Sequence, residues 1–492
     1  MKPNFVLRFL PRLQDILFFS IFLAALALGL RMLNMDGDLP RHLLTGRFIL
    51  ETKTIPTVEP FVYLYEGQPY ISHEWLADII FFLIQDHLGF AGLVILAATM
   101  LASTFTLIYS YVSTLFNIRL PVLALFLWGA ACTSLNWVLR PHLFSMLLLA
   151  IWLILSDKVA HGKKVPIWAF FVTMLIWSNL HGEFIAGMLV LLAYTIGWTI
   201  EFLFAHAKVN AQIGVQLWLA FLVSGLASFI NPATYHPYGT ILGFVNNPFL
   251  MSRMAEANPP AFGRPEFLVL LGLLAMSIFL LSINPRRLTV GQAFLLAGFS
   301  ALSLMAGRNA HLYGLVAPFV LAETTISLTK LKWVGALESI LKNVEDQVNF
   351  KLLPIGIVLF FSLLIMGSNL RYNYSFSPTF FPVNAVAWLE EHPQEGRMFN
   401  DLNWGGYIAY HLWPKQKIFA DSMADVTGEM TLQYEIALTM REGWNNIFLQ
   451  NKINWVILPT DSELVHALEN DFAWETIYTD STAAILRQNR YP

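Results

Sequence analysis

Apolar residues run in blocks of membrane-crossing length through the first three quarters of the chain and then stop. A spanning helix needs about 20 predominantly apolar residues. The first block, 16–33, follows Lys2, Arg8 and Arg12, so its start is expected on the cytoplasmic side. No small-residue cleavage site follows it, so it is expected to stay as a first helix rather than be removed. Further blocks at 89–115, 120–136, 142–156, 166–180, 184–204, 213–230, 266–283, 289–306, 311–328 and 353–369 bring the expectation to about eleven spans. The loops that this alternation puts inside hold Arg119, then Lys158, Lys163 and Lys164, then Lys208, then Arg286 and Arg287, then Lys330, Lys332, Lys342 and Lys351. That is the positive-inside pattern at every turn. An odd number of spans leaves the remainder, 370–492, outside, on the same side as a large first outer loop at 34–88.

The non-spanning segments carry other periods. Residues 39–50 read as a helix with Pro40 tolerated in its first turn. Pro56–Phe61 reads as extended chain, because a residue before proline avoids the helical region. From Ser72 an amphipathic helix begins, with Trp75, Ile79, Phe82 and Leu83 on one side, suited to a membrane interface. Asn231–Gly239 reads as a turn opening a longer outer loop, 246–265, able to gate a site. After residue 370 short elements alternate. Helix is expected at 384–391 and strand at 396–400, then a turn at Trp404–Tyr407 into a helix. Strands follow at 417–421 and 455–458, with a helix through His466, and 475–478 with 483–487 form a closing hairpin. This alternation predicts a small α/β domain.

Composition narrows the class. Of 492 residues, 56% are hydrophobic and 13% charged, against about 25% charged in soluble domains. A soluble enzyme and a disordered chain are excluded. The net charge of −3 gives no footprint for a nucleic acid. The single cysteine, Cys132, excludes an intramolecular disulfide and a cysteine-rich metal site. The tail from Asn369 is acidic, with 8 Lys and Arg against 15 Asp and Glu.

Candidate chemistry collects at the expected outer ends of the spans, where polar groups are costly and usually face a cavity. Asp36 and Asp38 follow the first span, with His42 one turn beyond Asp38. Asp38 fits an N-cap; Asp36, without that duty, is the better catalytic base. The two are also candidate ligands for a divalent cation, magnesium or manganese. Arg140 with His142, and Arg308 with His311, each place a guanidinium and an imidazole at an outer helix end, suited to a lipid-linked phosphate. Lipid-headgroup snorkelling would use the same residues. Glu59, His73, Glu74, Asn179 and His181 line the same side and are candidates for substrate contact. His73-Glu74 lacks a second His at zinc-protease spacing.

These segments resemble the GT-C superfamily of polytopic membrane glycosyltransferases, most of all bacterial members with a soluble C-terminal domain. The resemblance lies in Asp36 to His42, Pro56 to Phe61, His73 to Leu76, Arg140 to Ser145, Asn179 to Gly182, Asn231-Pro232 and Arg308-Asn309. The tail is similar to that of the oligosaccharyltransferase catalytic subunit, with Trp404 and Tyr407 at the place of its acceptor-recognising turn. The resemblance implies that Asp36 or Asp38 is the catalytic carboxylate of an enzyme in the bacterial cytoplasmic membrane. The enzyme would move a sugar from a polyprenyl-phosphate donor to a glycan, lipid or protein acceptor outside, by displacement at the anomeric carbon. The alternative is a non-catalytic lipid carrier, transporter or scaffold of cell-envelope glycan assembly. A transporter would keep polar residues near the bilayer midplane, whereas most blocks here carry them only at outer ends.

Overall fold

Helices dominate the computed structural model, which describes residues 10–204, 210–245, 247–284, 288–345, 348, 353–368, 373–423 and 428–489. Lys2, Arg8, Lys208, Arg286, Arg287 and Lys351, which carry part of the charge pattern, lie outside the described residues, as do Asn246 and the junction at 369–372. The described part of each expected span is apolar and mainly helical, in two cases as a pair of helices. Trp75–Phe116, His142–Ala160, Phe184–Phe204, Ala211–Ser228 and Pro265–Ile283 are long and apolar enough to cross a bilayer on their own. Gly307–Leu321 and Glu323–Lys330 form a pair bent by 61°. Leu13–Ala27, Leu120–Asn136, Ile167–Leu180, Val290–Met305 and Leu353–Gly367 are shorter. Leu222, Leu226, Ile278, Phe360 and Leu363 are exposed on these helices. Such outward apolar surface is disfavoured in water and suits lipid.

The first block is two helices, Leu13–Ala27 and Gly29–Asn34. Asn34 ends the second and ties it to the start of the tail, donating to the Ser375 carbonyl (3.2 Å) and accepting from the Ser377 N–H (2.6 Å). The first outer loop then makes the helix Asp38–Thr52. The expected amphipathic helix and second span are one 42-residue helix, Trp75–Phe116, broken at Gly89. Its buried face near the start is Ala77, Asp78 and Phe81, while Leu83 is exposed. Gly46 lets the two helices meet: a Cβ there would overlap the backbone carbonyl of Asp78.

The tail holds a four-stranded sheet. Its strands are β1 (Arg397–Asn400), β2 (Ile453–Pro459), β3 (Trp474–Thr479) and β4 (Ala483–Gln488), in the order β1-β2-β4-β3. β1 and β2 are parallel, with Asn400 opposite Ile457. β2–β4 and the β3–β4 hairpin are antiparallel. Helices Val383–Glu391, Gly405–Leu412 and Glu463–Glu469 fall where expected, and Glu429–Leu438 and Trp444–Asn451 are additional.

The expected strand at 417–421 is not in this sheet. Ile418 instead bridges in parallel to Val62, exchanging backbone hydrogen bonds with Phe61 and Tyr63 of the first outer loop (both 3.0 Å). Apolar alternation marks a segment as extended but not its partner. Here the buried Asn400 side chain holds the segment beside β1, donating to the Ala420 carbonyl and accepting from Phe419 N–H (both 2.8 Å). A second close contact joins tail to loop, since a Cβ on Gly37 would overlap the Asn403 carbonyl.

Candidate functional site

The helix Asp38–Thr52 carries Asp38, Arg41, His42 and Thr45 at the spacing of one face, and all but Asp38 are fully buried. A polar stripe on a buried face must find partners, and these partners build the site.

Asp36 Oδ1 accepts the Asp38 N–H (3.0 Å), so Asp36, not Asp38, caps the helix. Asp38 is the first helical residue. This reverses the expected division of labour, because an Asx turn from Asp36 satisfies the free N–H of the first helical residue. The other oxygen of Asp36 pairs with Nε of Arg140. Arg140 Nη2 lies 2.9 Å from Asp38 Oδ2, and Nη1 lies 3.3 Å from Glu256 Oε1. The second Asp38 oxygen accepts from the Ser422 hydroxyl of the tail. Burial pushes the Asp38 carboxyl up to about 6, with Ser422 and His42 opposing and Glu256 and Glu74 adding.

His42 faces three carboxylates. Its Nδ1 is 2.7 Å from Asp78 Oδ1 and 4.0 Å from Glu74. Burial works against its charge, but Asp78, Glu74 and Asp38 raise it to about 9. His42 is thus an imidazolium at neutral pH, a donor and counter-charge rather than a base. Glu74 also lies 3.3 Å from His181 and 3.8 Å from His73. Burial opposes the Glu74 charge, but His73, His181 and His42 hold its carboxyl below its usual value. His181 shares a hydrogen bond with Ser145 Oγ (2.8 Å), which accepts from the Trp177 indole (2.7 Å). Burial lowers the His181 pKa against the pull of Glu183 and Glu74.

On the far side Glu183 lies 3.2 Å from His311 Nε2, whose Nδ1 donates to the Arg308 carbonyl (2.6 Å). Burial opposes the Glu183 charge, but His311, His181 and His142 take it down to about 2. His142 packs edge-on to His311 at 5.6 Å and donates Nε2–H to the Asn136 carbonyl (2.7 Å), so that donor is spent within the protein. Burial lowers the Arg140 pKa, with Glu256 opposing and the nearby Arg308 adding.

Asp36, Asp38, His42, Glu74, Arg140, His181, Arg308 and His311 therefore converge, with Glu183 and Glu256 among them. The Arg140 guanidinium, 28% exposed, lies on the two aspartates. Those aspartates do not offer the free pair of faces expected of metal ligands.

Four further candidates lie deeper. Glu59 is buried, its two oxygens accepting from Arg41 Nη2 (2.9 and 2.8 Å) and Oε1 also from the N–H groups of Phe61 and Val62 (2.9 and 3.1 Å). Asn179 accepts from the Trp75 indole (2.8 Å) and donates to the Leu175 and Ile230 carbonyls (2.8 and 2.9 Å). Trp404 is buried and donates to the Phe380 carbonyl (2.8 Å). Tyr407 is buried among Phe376, Phe381 and His411. All four are buried and hydrogen-bonded or packed within the protein. His73, partly exposed beside Glu74, stays at the site's edge.

Sequence patterns did not mark Arg41, Asp78 or Glu256 as site residues, and gave Asp421 and Ser422 only as the end of an expected tail strand and the residue after it. Arg41, fully buried, pairs with Asp421 at 2.9 Å as well as with Glu59. Burial works against its charge, but Asp421 and Glu59 raise its pKa. The signal for Arg41 was present in its i+3 relation to Asp38, and for Asp78 in its i+4 relation to Glu74. Ser422 and Glu256 carried none.

No protein-family model matches the chain, and no curated protein is significantly similar to it in sequence. Solved structures do match. The archaeal oligosaccharyltransferase AglB from Archaeoglobus fulgidus, in complex with an inhibitory peptide and a dolichol-phosphate, superposes with a TM-score of 0.59 at 11% identity, over 96% of this chain and 74% of that one. The same organism's oligosaccharyltransferase tethered to an acceptor peptide gives 0.58 at 12% identity, over 90% and 69%. ArnT from Cupriavidus metallidurans, bound to undecaprenyl phosphate, gives 0.50 at 13% identity, over 96% and 97%. Over most of its length the chain shares the fold of these oligosaccharyltransferase and ArnT structures.

Proposed function

We propose that this chain is a membrane glycosyltransferase that takes a sugar from a polyprenyl-phosphate-linked donor and passes it to an acceptor on the extracytoplasmic face. The observation that carries the reading is the pair Asp36 and Asp38, placed directly after the first membrane helix and held by Arg140 and Ser422 among further acids and imidazoles. In this reading eleven spans occupy residues 1–369 of a bacterial cytoplasmic membrane, and 370–492 form an extracytoplasmic domain. Two structural neighbours of this fold carry dolichol-phosphate or undecaprenyl phosphate, which supports a lipid phosphate as the donor's carrier.

The chemistry is an inverting displacement. One aspartate takes the proton of the acceptor hydroxyl as its oxygen attacks the anomeric carbon, and the phosphate leaves on the opposite side. Arg308, with the Glu183–His311 pair behind it, meets the developing phosphate charge. The Ser422 contact orients Asp38, and the His42 imidazolium keeps Asp78 and Glu74 from adding uncompensated negative charge beside it.

Mass spectrometry of lipid-linked sugars in a deletion strain tests this. A polyprenyl-phosphate sugar should accumulate, and clear on expression of the wild-type chain but not of Asp36→Asn. An unchanged lipid-linked pool, or clearance by Asp36→Asn as efficient as by wild type, would overturn the reading.

A further inference from the structure

We propose that Arg140 is a built-in counter-ion that takes the place of a divalent cation between Asp36 and Asp38. The functional weight of this rests on those aspartates as the reaction centre; the test does not.

Two acids two residues apart, facing one partly buried site, require positive charge, because like charges at that spacing oppose each other's ionisation. A metal ion with oxygen ligands is one solution and a guanidinium is another. In this chain Nε of Arg140 is on Asp36, Nη2 is 2.9 Å from Asp38 and Nη1 is 3.3 Å from Glu256, so three carboxylates from two segments meet one guanidinium. Among the described residues, no group of three or more His, Cys, Asp or Glu has the geometry of a metal site. Magnesium demands near-octahedral oxygens at about 2.0–2.1 Å. Here the oxygens of Asp36 and Asp38 already face the Arg140 guanidinium, the Asp38 N–H and the Ser422 hydroxyl. An entering cation would have to evict the guanidinium or sit against it as a like charge.

The mounting of Arg140 is that of a fixed part. It immediately precedes Pro141 and the helix His142–Ala160. Its N–H donates to the Val138 carbonyl (3.0 Å), and its own carbonyl accepts from Leu143 N–H (3.2 Å). A planar fork holds its separate N–H groups to both aspartates in a fixed geometry, where an ammonium is a rotatable point charge. A single positive charge also withdraws less basicity from the carboxylates than a dication would, which suits a group that must take a proton.

The test is manganese binding to the full-length protein in detergent, followed by electron paramagnetic resonance. Wild type should leave Mn²⁺ free up to about 1 mM, at or beyond the weak end of protein cation sites. Arg140→Ala uncovers three carboxylates and should bind one Mn²⁺ at least ~10-fold more tightly. Adding Asp36→Asn should abolish that gain. One Mn²⁺ bound by wild type and lost in Asp36→Asn would overturn the proposal, as would a folded Arg140→Ala that gains none. If the alanine variant does not fold, the comparison of wild type with Asp36→Asn decides alone. Binding of undecaprenyl phosphate by wild type, with and without chelator, is measured in parallel. Its failure counts against the lipid donor and leaves the counter-ion standing.

Discussion

Asp36 uses one oxygen to cap a helix and the other to hold Arg140. Asparagine keeps the capping oxygen and removes the charge, so Asp36→Asn separates folding from chemistry. Transfer should fall ~10²–10⁴-fold, the usual loss for a catalytic base, while the melting temperature stays near wild type. Full turnover in a folded Asn variant would move the base to Asp38. Arg308 is read the same way. An arginine that only anchors to headgroups tolerates lysine, whereas one gripping a phosphate through its planar fork does not. Arg308→Lys is expected to weaken undecaprenyl phosphate binding by about tenfold or more, measured by titration in detergent, with membrane insertion unchanged. His42 sets a pH limit. Its folded pKa is raised, from 6.5 to about 9, so its contribution to stability is complete below about 6.5 and is lost as pH rises through about 9. Thermal melts should therefore fall over that window, and His42→Gln should flatten the limb. An unchanged limb in the variant would assign it to another group.

At the scale of elements, the helix Asp38–Thr52 connects loop, body and tail. Its Arg41 is buried between Glu59 of the loop and Asp421 of the tail. Breaking a buried pair from one side leaves uncompensated charge, at about 3–5 kcal/mol. Arg41→Met should cost stability of that order, and here it strands two carboxylates. It should also loosen the tail, seen as faster proteolysis near residues 417–423. Adding Glu59→Gln and Asp421→Asn should recover part of the loss. A single Arg41→Met variant as stable as wild type would show that the tail docks by its apolar contacts alone.

For the whole molecule the testable property is sidedness. Lysine and arginine alternate with the helices, and the aspartates, imidazoles and tail share one end. A reporter that is active only in the cytoplasm, fused after Pro492, should be silent. Activity there would place the tail inside and, through the Arg41–Asp421 and Ser422–Asp38 contacts, the candidate site with it.

The primary structure by itself determined where the apolar helices lie, the helix after Asp36, the small sheet of the tail and most of the polar residues that gather at one end. The reason is physical: burial in lipid and helical or strand period act over a few neighbouring residues, so they are written locally. The pairing of those polar residues is not local. Glu59, Asn179, Trp404 and Tyr407 look from their types and positions like groups awaiting a substrate, and the structure buries each against a distant partner. The segment at 417–421 has a strand's pattern, yet Asn400 and the first outer loop decide its neighbours. Arg140 stands at an outer helix end in the sequence, and only the fold sets it between Asp36 and Asp38. A charge in a low-dielectric site takes whichever opposite charge the chain brings within reach, and only the packing of residues hundreds of positions apart decides which one arrives.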